Sequence, residues 1–487
     1  MTTGDLVLGV DLGTTALKGG VFGPAGACLA FAQAEYPLYA PHDGWAEQDA
    51  DDWWSAFEAV VAGLAVEVDL QRVAALCVVA QSPTVAPIGA GGTPLGRAIT
   101  WADRRAEAKA RWLGERLGHE AVNVAFDVLP RAIWIRDHLP DVYRQTRWFM
   151  QAFDYLPYRL TGRPVAIRPL PGAGPWAAAK LAAADLDPGR FPDATLAPGE
   201  VIGCVRADVA ERLGLSPDTM VISGNVDAFS HWIGVDLSRA GTLCNIGGTS
   251  EGASLAWHEA LADPKHRVFS LPSPFGRGAV VGGAMSNSGG LLDWSVRNLG
   301  AGSTRESALA AMAACPAGSA GLIALPYFMG ERTPIYDPAA RGAYVGLTRD
   351  HTGAHMGRAL LESVAFALRQ VLDVLADVGA EVRDITVTGG TAHAGLWNSI
   401  KADVTGLPVR VTDMKASGVL GAAILARAAA TGSALADVSQ EMVAYTEVIE
   451  PNIANKAVYD DVYPLFLDLY ESLRPTFTRL AGLAERA

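Results

Sequence analysis

Gly-Val-Asp-Leu-Gly-Thr-Thr at residues 9–15 resembles Cys-Asn-Ile-Gly-Gly-Thr-Ser at residues 244–250. In both stretches an apolar strand pattern runs into glycine and hydroxyl residues, and a second strand pattern follows. Glycine lets backbone N–H groups turn toward an anion, and Thr and Ser hydroxyls add further donors. Each turn, here called the first hairpin and the second hairpin, is therefore predicted to bind phosphate. Two such hairpins facing one another would hold a polyphosphate, which makes ATP chemistry the leading hypothesis.

The composition favours a folded protein with more than one domain. Of 487 residues, 50% are hydrophobic and only 19% are charged, which is enough for two or more domains with sizeable cores. The formal net charge is −13 and no basic run occurs, so neither nucleic acid nor an anionic membrane is expected as a partner. An anionic nucleotide would then depend on backbone amides, Mg²⁺ and a few local cations.

The cysteine pattern and the N-terminus bear on the cellular compartment. The 5 cysteines are isolated and lack the spacing of a metal site, which fits a reducing cytosol. The first residues show no signal-peptide pattern, and no apolar run reaches membrane-spanning length. The sequence therefore predicts a soluble, cytoplasmic protein without a membrane segment.

The order of strand and helix patterns predicts two α/β domains. A β-meander over residues 6–35 opens the chain, and the same pattern restarts at residue 241. Strands alternate with helices later in both halves, as expected of duplicated α/β domains with a cleft between them. We place the boundary near residues 236–240, which gives an N-terminal domain over residues 1–237 and a C-terminal domain over residues 238–487.

Two aspartates are candidates for phosphoryl-transfer chemistry. Asp11 ends a predicted buried strand and could hold Mg²⁺ beside the phosphates, although an ordinary turn aspartate explains it equally well. Asp227 follows a strand and precedes a helix, where its carboxylate could remove a proton from an acceptor hydroxyl. Helix capping is the alternative for Asp227 and is favoured by its position alone. Lys18 could neutralise phosphate charge or simply be solvated.

Other motifs carry weaker signals. Gly389 and Gly390 end an apolar strand before a helix, a suitable place for nucleotide phosphates, although turn chemistry is the alternative. Trp45 and Trp101 lie in predicted loops and could stack on a sugar face. The sequence lacks the Gly-x-Ser-x-Gly elbow of serine hydrolases and the Gly-x-x-x-x-Gly-Lys-Ser/Thr loop of P-loop kinases. Both of those classes are therefore disfavoured.

With these residues assembled, the chain resembles the FGGY carbohydrate kinases over nearly its whole length, most closely the xylulokinase-like branch. The resemblance rests on several motifs that occur in family order. They lie at residues 9–15, 45–49, 100–105, 154–156, 224–227, 247–250, 325–334, 342–347 and 388–390.

The resemblance implies an α/β fold with two ribonuclease-H-like, actin-like ATPase domains that flank a catalytic cleft and close over ATP and a sugar. It implies that Asp227 is the catalytic base and that Asp11 is the metal-associated aspartate. For ATP it implies the residues Gly13, Thr14, Thr15, Gly248, Thr249, Ser250, Gly389, Gly390 and Asn398, to which the charge argument adds Lys18. For the sugar it implies Gln81, Trp101, Asp103 and Arg104.

Three departures from the family pattern are found in the chain. Ser82, Pro83 and Thr84 stand where typical xylulokinases have Met-His-Gly. Ala228 follows the predicted base where xylulokinases tend to have Asn, and Arg131 stands where the family usually has Lys. The first two fall in the expected sugar pocket. The ATP half of the predicted site therefore matches the family, whereas the acceptor half is altered.

The sequence thus predicts a kinase that uses ATP and Mg²⁺ and transfers the γ-phosphoryl group directly to a small open-chain sugar or polyol. D-Xylulose is the preferred acceptor, with ribulose, a tetrulose or an alditol as alternatives. Two other classes stay open: a nucleotide-driven switch protein of the same fold, and a phosphohydrolase that needs no sugar. A homodimer also stays open, because dimers are frequent among the proteins that the chain resembles.

Overall fold

The computed structural model describes residues 4–118, 127–169, 177–414 and 416–484. These residues divide into two compact units. The first unit consists of the described residues up to 236 together with residues 416–443, and the second consists of the remainder. The division after residue 236 lies within the predicted boundary region, but the inclusion of residues 416–443 in the first unit was not predicted.

Up to residue 236, the described chain contains strands β1 to β12 and helices α1 to α8. The strands are β1 (Leu6–Leu12), β2 (Ala16–Phe22), β3 (Cys28–Glu35), β4 (Glu47–Gln48), β5 (Val73–Ala80), β6 (Val85–Ile88), β7 (Ala98–Ile99), β8 (Trp148–Gln151), β9 (Ala166–Ile167), β10 (Thr195–Leu196), β11 (Val201–Cys204) and β12 (Met220–Ile222). The helices are α1 (Ala50–Leu64), α2 (Glu107–Leu117), α3 (Leu129–His138), α4 (Pro140–Gln145), α5 (Ala152–Thr161), α6 (Ala178–Ala183), α7 (Ala207–Leu213) and α8 (Asp227–Gly234).

The rest of the described chain continues the alternation of strands and helices. Its strands are β13 (Thr242–Gly247), β14 (Glu251–Trp257), β15 (Phe269–Pro272), β16 (Ala279–Met285), β17 (Ile323–Leu325), β18 (Ala343–Val345), β19 (Asp384–Gly389), β20 (Val409–Thr412) and β21 (Tyr445–Ile449). Its helices are α9 (Gly289–Asn298), α10 (Arg305–Ala313), α11 (Gly353–Asp377), α12 (Gly395–Thr405), α13 (Ser417–Thr431), α14 (Leu435–Met442) and α15 (Ile453–Ala484).

A six-stranded sheet forms the centre of the first unit, in the order β11-β12-β5-β1-β2-β3. The strands β1, β2 and β3 form the predicted antiparallel meander, whereas β5 runs parallel to β1 and β12 runs parallel to β5. Every residue of β1 and β5 is buried. Their continuous apolar runs therefore fit central strands that are covered on both faces.

Helix α1 shows how the local sequence determines an element of this unit. The Asp49 side chain accepts the Asp51 N–H at 3.0 Å and so caps the N-terminus. The buried residues of α1 recur at intervals of three and four, as a helix with one apolar face requires. They include Trp53, Phe57, Val60 and Leu64. A capping aspartate and an apolar face thus account for both the start of this helix and the side that it buries.

The second unit repeats the arrangement in a seven-stranded sheet of order β15-β16-β14-β13-β19-β20-β21. Its strand β13 pairs antiparallel with β14 and parallel with β19, just as β1 pairs with β2 and β5. The first and second hairpins therefore occupy equivalent places in the two sheets. The duplicated α/β fold predicted from the sequence is confirmed.

The segment at residues 416–443 belongs to the first unit because α13 packs against β1, β5 and α8. Helix α13 is rich in Ala and Gly, and such small residues allow close approach to a sheet or a neighbouring helix. Its sequence does not reveal which of two similar sheets it covers, so the predicted division assigned it to the second domain. In contrast, α15 packs against α12 and β17 of the second unit. Among the described helices, none has both the length and the apolar character needed to cross a membrane.

Candidate active site

The first hairpin connects β1 to β2 and is held by groups that lie outside the turn. The Tyr36 hydroxyl donates a hydrogen bond to the Gly13 carbonyl oxygen, and the Tyr36 N–H donates to the Thr15 carbonyl at 3.2 Å. Gln48 Nε2 donates to the Thr14 carbonyl at 2.5 Å. These bonds engage the carbonyl oxygens of the turn, which would otherwise repel an anion.

Two carboxyl groups lie at the ends of elements beside this hairpin. Asp11 is buried on β1, and its Oδ1 has no hydrogen-bond partner among the described residues. Burial raises the pKa of Asp11 to about 6, against the opposing effect of the Lys18 charge. Burial, followed by the Asp11 charge, raises the pKa of Asp227 to about 7. The two carboxyls therefore interact, as expected of like charges in a desolvated place.

Asp227 is the first residue of α8, whereas the sequence placed it just before the helix; the N-cap position is Val226, and no side chain caps this helix. Its side chain is partly exposed, and its Oδ1 accepts the Ala228 N–H at 2.7 Å. This is the one hydrogen bond that the described residues make with the carboxyl. Strand β12 ends five residues earlier, beside the carboxyl end of β5, where open α/β sheets place ligands. Asp227 thus uses Oδ1 to bind the start of the helix, and its other carboxyl oxygen is available to a ligand.

Residues around Asp11 restrict its carboxyl. Lys18 is its cross-strand partner in the β1–β2 ladder. A Cβ atom at Gly418, in the first turn of α13, would lie 2.6 Å from Asp11 Oδ2, so only glycine allows this approach. The His231 Nδ1 lies 2.7 Å from Ser417 Oγ and connects α8 with α13. Burial lowers the pKa of His231 to about 4, with a further contribution from Lys18, so this imidazole is neutral at neutral pH.

The structure brings two of the four predicted sugar-binding residues to the first hairpin. Trp101 is 49% exposed, and its Nε1 donates to Thr14 Oγ1 at 3.0 Å. Gln81 is buried, and its Nε2 donates to Gln48, which itself binds the hairpin. The Gln81 Oε1 has no hydrogen-bond partner among the described residues. Gln81 Oε1 and the exposed Trp101 ring are therefore available for a contact beside the first hairpin.

The other two predicted sugar residues make different contacts. Asp103 is buried and forms an ion pair with Arg105 at 2.6 Å, while Arg105 also contacts Glu47 at 2.8 Å. Arg104 is exposed and pairs with Glu107 at 3.3 Å. Asp103 thus organises its own loop, and the structure does not bring Arg104 to the hairpin. Their role in sugar binding stays a prediction.

Two further residues support the Trp101 loop from within the protein. The Arg105 guanidinium lies 3.4 Å from the centre of the Trp45 ring, so one face of Trp45 is occupied. Arg131 is fully buried and donates to the carbonyl oxygens of Thr100 at 3.1 Å and Trp101 at 3.3 Å. The charge that Arg131 retains in place of the usual lysine therefore holds the backbone of this loop.

The second hairpin connects β13 to β14 and is held by backbone groups. The Gly248 carbonyl accepts the Gly289 N–H at 2.8 Å, and the Thr249 carbonyl accepts the Ser288 N–H at 3.0 Å. A Cβ atom at Gly289 would lie 2.5 Å from the Gly248 carbonyl oxygen, so the start of α9 approaches the turn more closely than other residues allow.

A pocket of about 190 Å³, here called the second-hairpin pocket, opens at this turn. Its lining combines the hairpin, the start of α9, the turn after β19 and one ion pair. The lining residues are Gly248, Thr249, Gly289, Gly290, Gly390, Thr391, Asp293 and Arg305. Among the predicted ATP-binding residues outside the lining, Gly389 adopts a φ of +88°, and Asn398 Nδ2 donates to the Ala392 carbonyl at 2.6 Å. Both shape the turn that contributes Gly390.

Five residues of this lining were not among the predicted site residues, and one of them, Thr391, directly follows the predicted Gly389 and Gly390. Gly289 and Gly290 follow a Ser-Asn-Ser run and begin an apolar helix, which is a recognisable start of a helix after a strand. Asp293 and Arg305 form a bidentate ion pair with distances of 2.5 and 2.7 Å, and Arg305 is the one cation among the lining residues. A pair between neighbouring helices leaves no local signal.

A metal ion would need few protein ligands here. No three His, Cys, Asp or Glu side chains converge within the part of the chain that the structure describes. Mg²⁺ commonly takes one or two carboxylates together with phosphate and water. Asp11 has an unpartnered carboxylate oxygen and therefore fits this kind of ligation.

Two sheets of the same topology, each with a Gly-Thr hairpin after its central strand, define the actin-like ATPase class. The chain belongs to the FGGY family of carbohydrate kinases. The family's N-terminal domain matches residues 6–167, and its C-terminal domain matches residues 243–430. The protein is therefore a sugar phosphotransferase.

Known relatives align with nearly the whole chain. The xylulose kinase of Lactococcus lactis subsp. lactis is 27% identical over 96% of both chains. The crystal structure of xylulose kinase from Rhodospirillum rubrum is 30% identical, with a TM-score of 0.82 over 97% of this chain and 100% of that one. The structure of gluconate kinase from Lactobacillus acidophilus is 26% identical, with a TM-score of 0.84 over 98% and 99%. The names of these relatives differ in their acceptor.

Proposed function

We propose that this sugar kinase transfers the γ-phosphoryl group of ATP to a hydroxyl of a small open-chain sugar or polyol, with a ketopentose such as D-xylulose as the preferred acceptor. The observation that carries the proposal is the pair Asp227 and Asp11. These carboxyls are partly or fully buried beside the first hairpin, which is predicted to bind phosphate, and each has a raised pKa. Carboxyls with perturbed pKa values are typical of catalytic sites.

In this proposal Asp227 is the general base. A base works best when its pKa lies near the working pH, and the Asp227 pKa of about 7 meets that condition. The ionised carboxylate accepts the proton of the acceptor hydroxyl as the oxygen attacks the γ-phosphorus, and ADP leaves. The Ala228 N–H fixes Oδ1 of this carboxyl, so the other oxygen is the one proposed to take the proton.

Asp11 is proposed to hold Mg²⁺, which when bound would neutralise phosphate charge. The absence of a side chain at Gly418 leaves room for the Asp11 carboxyl, and the unpartnered Oδ1 is available to the ion. The second-hairpin pocket is proposed to hold the nucleotide, with its backbone N–H groups and Arg305 as donors. These residues supply local donors in a chain whose formal net charge is −13.

The acceptor is proposed to bind near Gln81 and Trp101. Gln81 Oε1, Thr84 Oγ1 and Gln151 Nε2 are buried polar atoms without a hydrogen-bond partner among the described residues. Buried polar atoms usually have partners, so a hydroxyl-rich ligand is a reasonable way to satisfy these three. Ser82 Oγ lies 3.3 Å from Gln151 Oε1, which connects the altered Ser-Pro-Thr segment with this polar group. The altered segment therefore bears on which sugar is accepted.

The experiment is a coupled ADP-release assay over D-xylulose, ribulose, a tetrulose, an alditol and gluconate, with Asp227→Ala as the blank. We expect ADP release only when an acceptor is present, with the highest kcat/KM for a ketopentose. Release of phosphate without any sugar would instead support a phosphohydrolase. ATP turnover that does not respond to any acceptor would support a nucleotide-driven switch.

A further inference from the structure

A buried polar network lies directly behind the second hairpin. Lys401 Nζ, on α12, lies 2.9 Å from Glu251 Oε1, on β14, and donates to Asn245 Oδ1, on β13, at 2.6 Å. Asn245 Nδ2 donates to Glu251 Oε1 at 2.7 Å, and Ser288 Oγ donates to Glu251 Oε2 at 2.5 Å. All four side chains are at most 2% exposed.

The members of this network lie on or next to three of the segments that line the second-hairpin pocket, which are the hairpin, the start of α9 and the turn after β19. Asn245 and Glu251 lie on either side of the second hairpin, in the strands that it connects. Ser288 is the residue before α9, whose first residues line the pocket. Lys401 lies on α12, which follows the turn that contributes Gly390. The network therefore connects these three segments, here called the three walls, behind the pocket.

Packing alone does not require an ion pair here. Removing two charges from water is costly, and apolar residues of similar volume usually stabilise a buried place equally well. The charged network adds directional hydrogen bonds. Glu251 accepts bonds from three side chains, and each bond forms only when its donor lies at a particular place. An apolar replacement would fill the volume without fixing the relative positions of the three walls.

We infer that Lys401, Glu251, Asn245 and Ser288 are positioning residues that set the nucleotide affinity of the second-hairpin pocket. This inference rests on the proposed function, because it takes the polyphosphate of a nucleoside triphosphate or diphosphate as the ligand. The network touches no ligand itself. It acts through the backbone N–H groups of the second hairpin and of the start of α9, whose spacing must match the phosphate oxygens.

The first experiment uses Ser288→Ala, which removes one hydrogen bond to Glu251 and leaves the ion pair in place. We expect ADP affinity, measured by titration calorimetry, to fall about three- to tenfold, with KM for ATP rising in parallel. The kcat and the acceptor KM should stay within about twofold of the wild type, because the first hairpin is untouched. A residue with a purely structural role would not change ADP affinity in a protein that remains folded.

The second experiment is a double-mutant cycle of Lys401→Met and Glu251→Gln. Each single change leaves a buried partner unsatisfied, so each should weaken ADP binding by about tenfold or more. The double variant removes both charges and should bind ADP more tightly than the sum of the single effects predicts. Lys456→Met is the matched control, since Lys456 forms a partly exposed ion pair with Asp460 at 2.6 Å in the same unit. This control should bind ADP like the wild type.

Unchanged ADP affinity in Ser288→Ala would overturn the inference. If Lys401→Met does not fold, the result for Ser288→Ala is the test of the inference by itself. Additive effects in a folded double-mutant cycle would also contradict it. If the wild type binds no ADP at all, the proposed function fails and not the network. The titration of the wild type thus separates the two.

Discussion

The two hairpins occupy equivalent places in two similar sheets, yet their surroundings differ. Beside the first hairpin, Asp11 and Asp227 have raised pKa values, and Asp11 Oδ1 has no partner. Behind the second hairpin, the charges of Glu251 and Lys401 are paired and hydrogen-bonded. The carboxyls beside the first hairpin therefore lack a full set of partners, whereas the charges directly behind the second hairpin have theirs.

This difference indicates that the two hairpins have different roles. A carboxylate that is to accept a proton or hold a cation must lack a strong partner within the protein, which costs stability. A pocket that is to bind a polyphosphate needs fixed donors, and a satisfied network behind it keeps them fixed. We therefore assign the chemical step to the first hairpin and nucleotide affinity to the second. The following predictions test that assignment from the largest expected effect to the smallest.

The largest effect is expected for Asp227→Asn, which removes the proposed base and keeps the shape of the side chain. The kcat should fall by about 10²–10⁴-fold because the acceptor hydroxyl loses its proton acceptor. The measurement is steady-state ADP release at saturating ATP and acceptor. Asp141→Asn is the matched control, since Asp141 is an exposed aspartate in the first turn of another helix. If the control loses as much activity as Asp227→Asn, the loss does not come from removal of a catalytic base.

A smaller effect is expected for Gly289→Ala, and it should fall on nucleotide binding and not on turnover. The added Cβ would lie 2.5 Å from the Gly248 carbonyl, so the start of α9 must move away from the second hairpin. KM for ATP should rise by roughly tenfold, while kcat at saturating ATP changes little. Gly395→Ala is the control, because a Cβ there meets nothing within 4 Å. An unchanged KM for ATP in Gly289→Ala would show that this close approach does not determine nucleotide affinity.

Trp101→Phe should affect the acceptor and not the nucleotide. The substitution keeps an aromatic ring but removes the Nε1–H that donates to Thr14 Oγ1 at 3.0 Å. Without this bond the aromatic ring is held less firmly against the acceptor. The acceptor KM should therefore rise by about three- to tenfold. Kinetics with varied acceptor and varied ATP separate the two constants. An equal rise in both would contradict the assignment of Trp101 to the acceptor.

The smallest effect is on stability and depends on pH. The folded-state pKa of Asp227, about 7, lies above the ordinary aspartate value of 3.8. Between these values the folded protein keeps a proton that the unfolded chain has lost, so ionisation of Asp227 reduces stability as pH rises. Asp227→Asn should therefore raise the free energy of unfolding by roughly 1–3 kcal/mol at about pH 8 and leave it unchanged at about pH 4.

Urea unfolding of the wild type and Asp227→Asn across this pH range measures that difference. Asp141→Asn serves again as the control, with no gain expected at either end. A gain that is the same at both pH values would mean that removal of the charge is not its cause.

Much of the fold followed from local sequence. The meander predicted over residues 6–35 corresponds to β1, β2 and β3, and the pattern predicted to restart at residue 241 corresponds to β13 and β14, because apolar periodicity and glycine turns mark these strands. The placement of Asp227 at the start of α8 was likewise predicted from a strand, a tight turn and a helix pattern. The hairpins were recognised because their glycine and hydroxyl residues form a turn with hydrogen-bond donors within a few consecutive positions.

Non-local contacts account for what was missed. Lys401 and Glu251 are 150 positions apart in the chain, and neither carries a motif. Two signals existed: Glu251 begins a strand whose other residues are nearly all apolar, and Lys401 follows Trp397 by one helical turn on the buried face of α12. A charge on an apolar face indicates a buried partner but does not say which one. The packing of α13 on the first sheet was missed for the same reason.

The central claim is that Asp227 performs chemistry without contributing to nucleotide affinity, and ADP titration of Asp227→Asn tests it most directly. We predict an ADP dissociation constant within about threefold of the wild type, in a variant whose turnover has fallen by about a hundredfold or more. A folded variant that keeps more than about a fifth of wild-type turnover would contradict the claim. A loss of ADP affinity as large as the loss of turnover would contradict it as well.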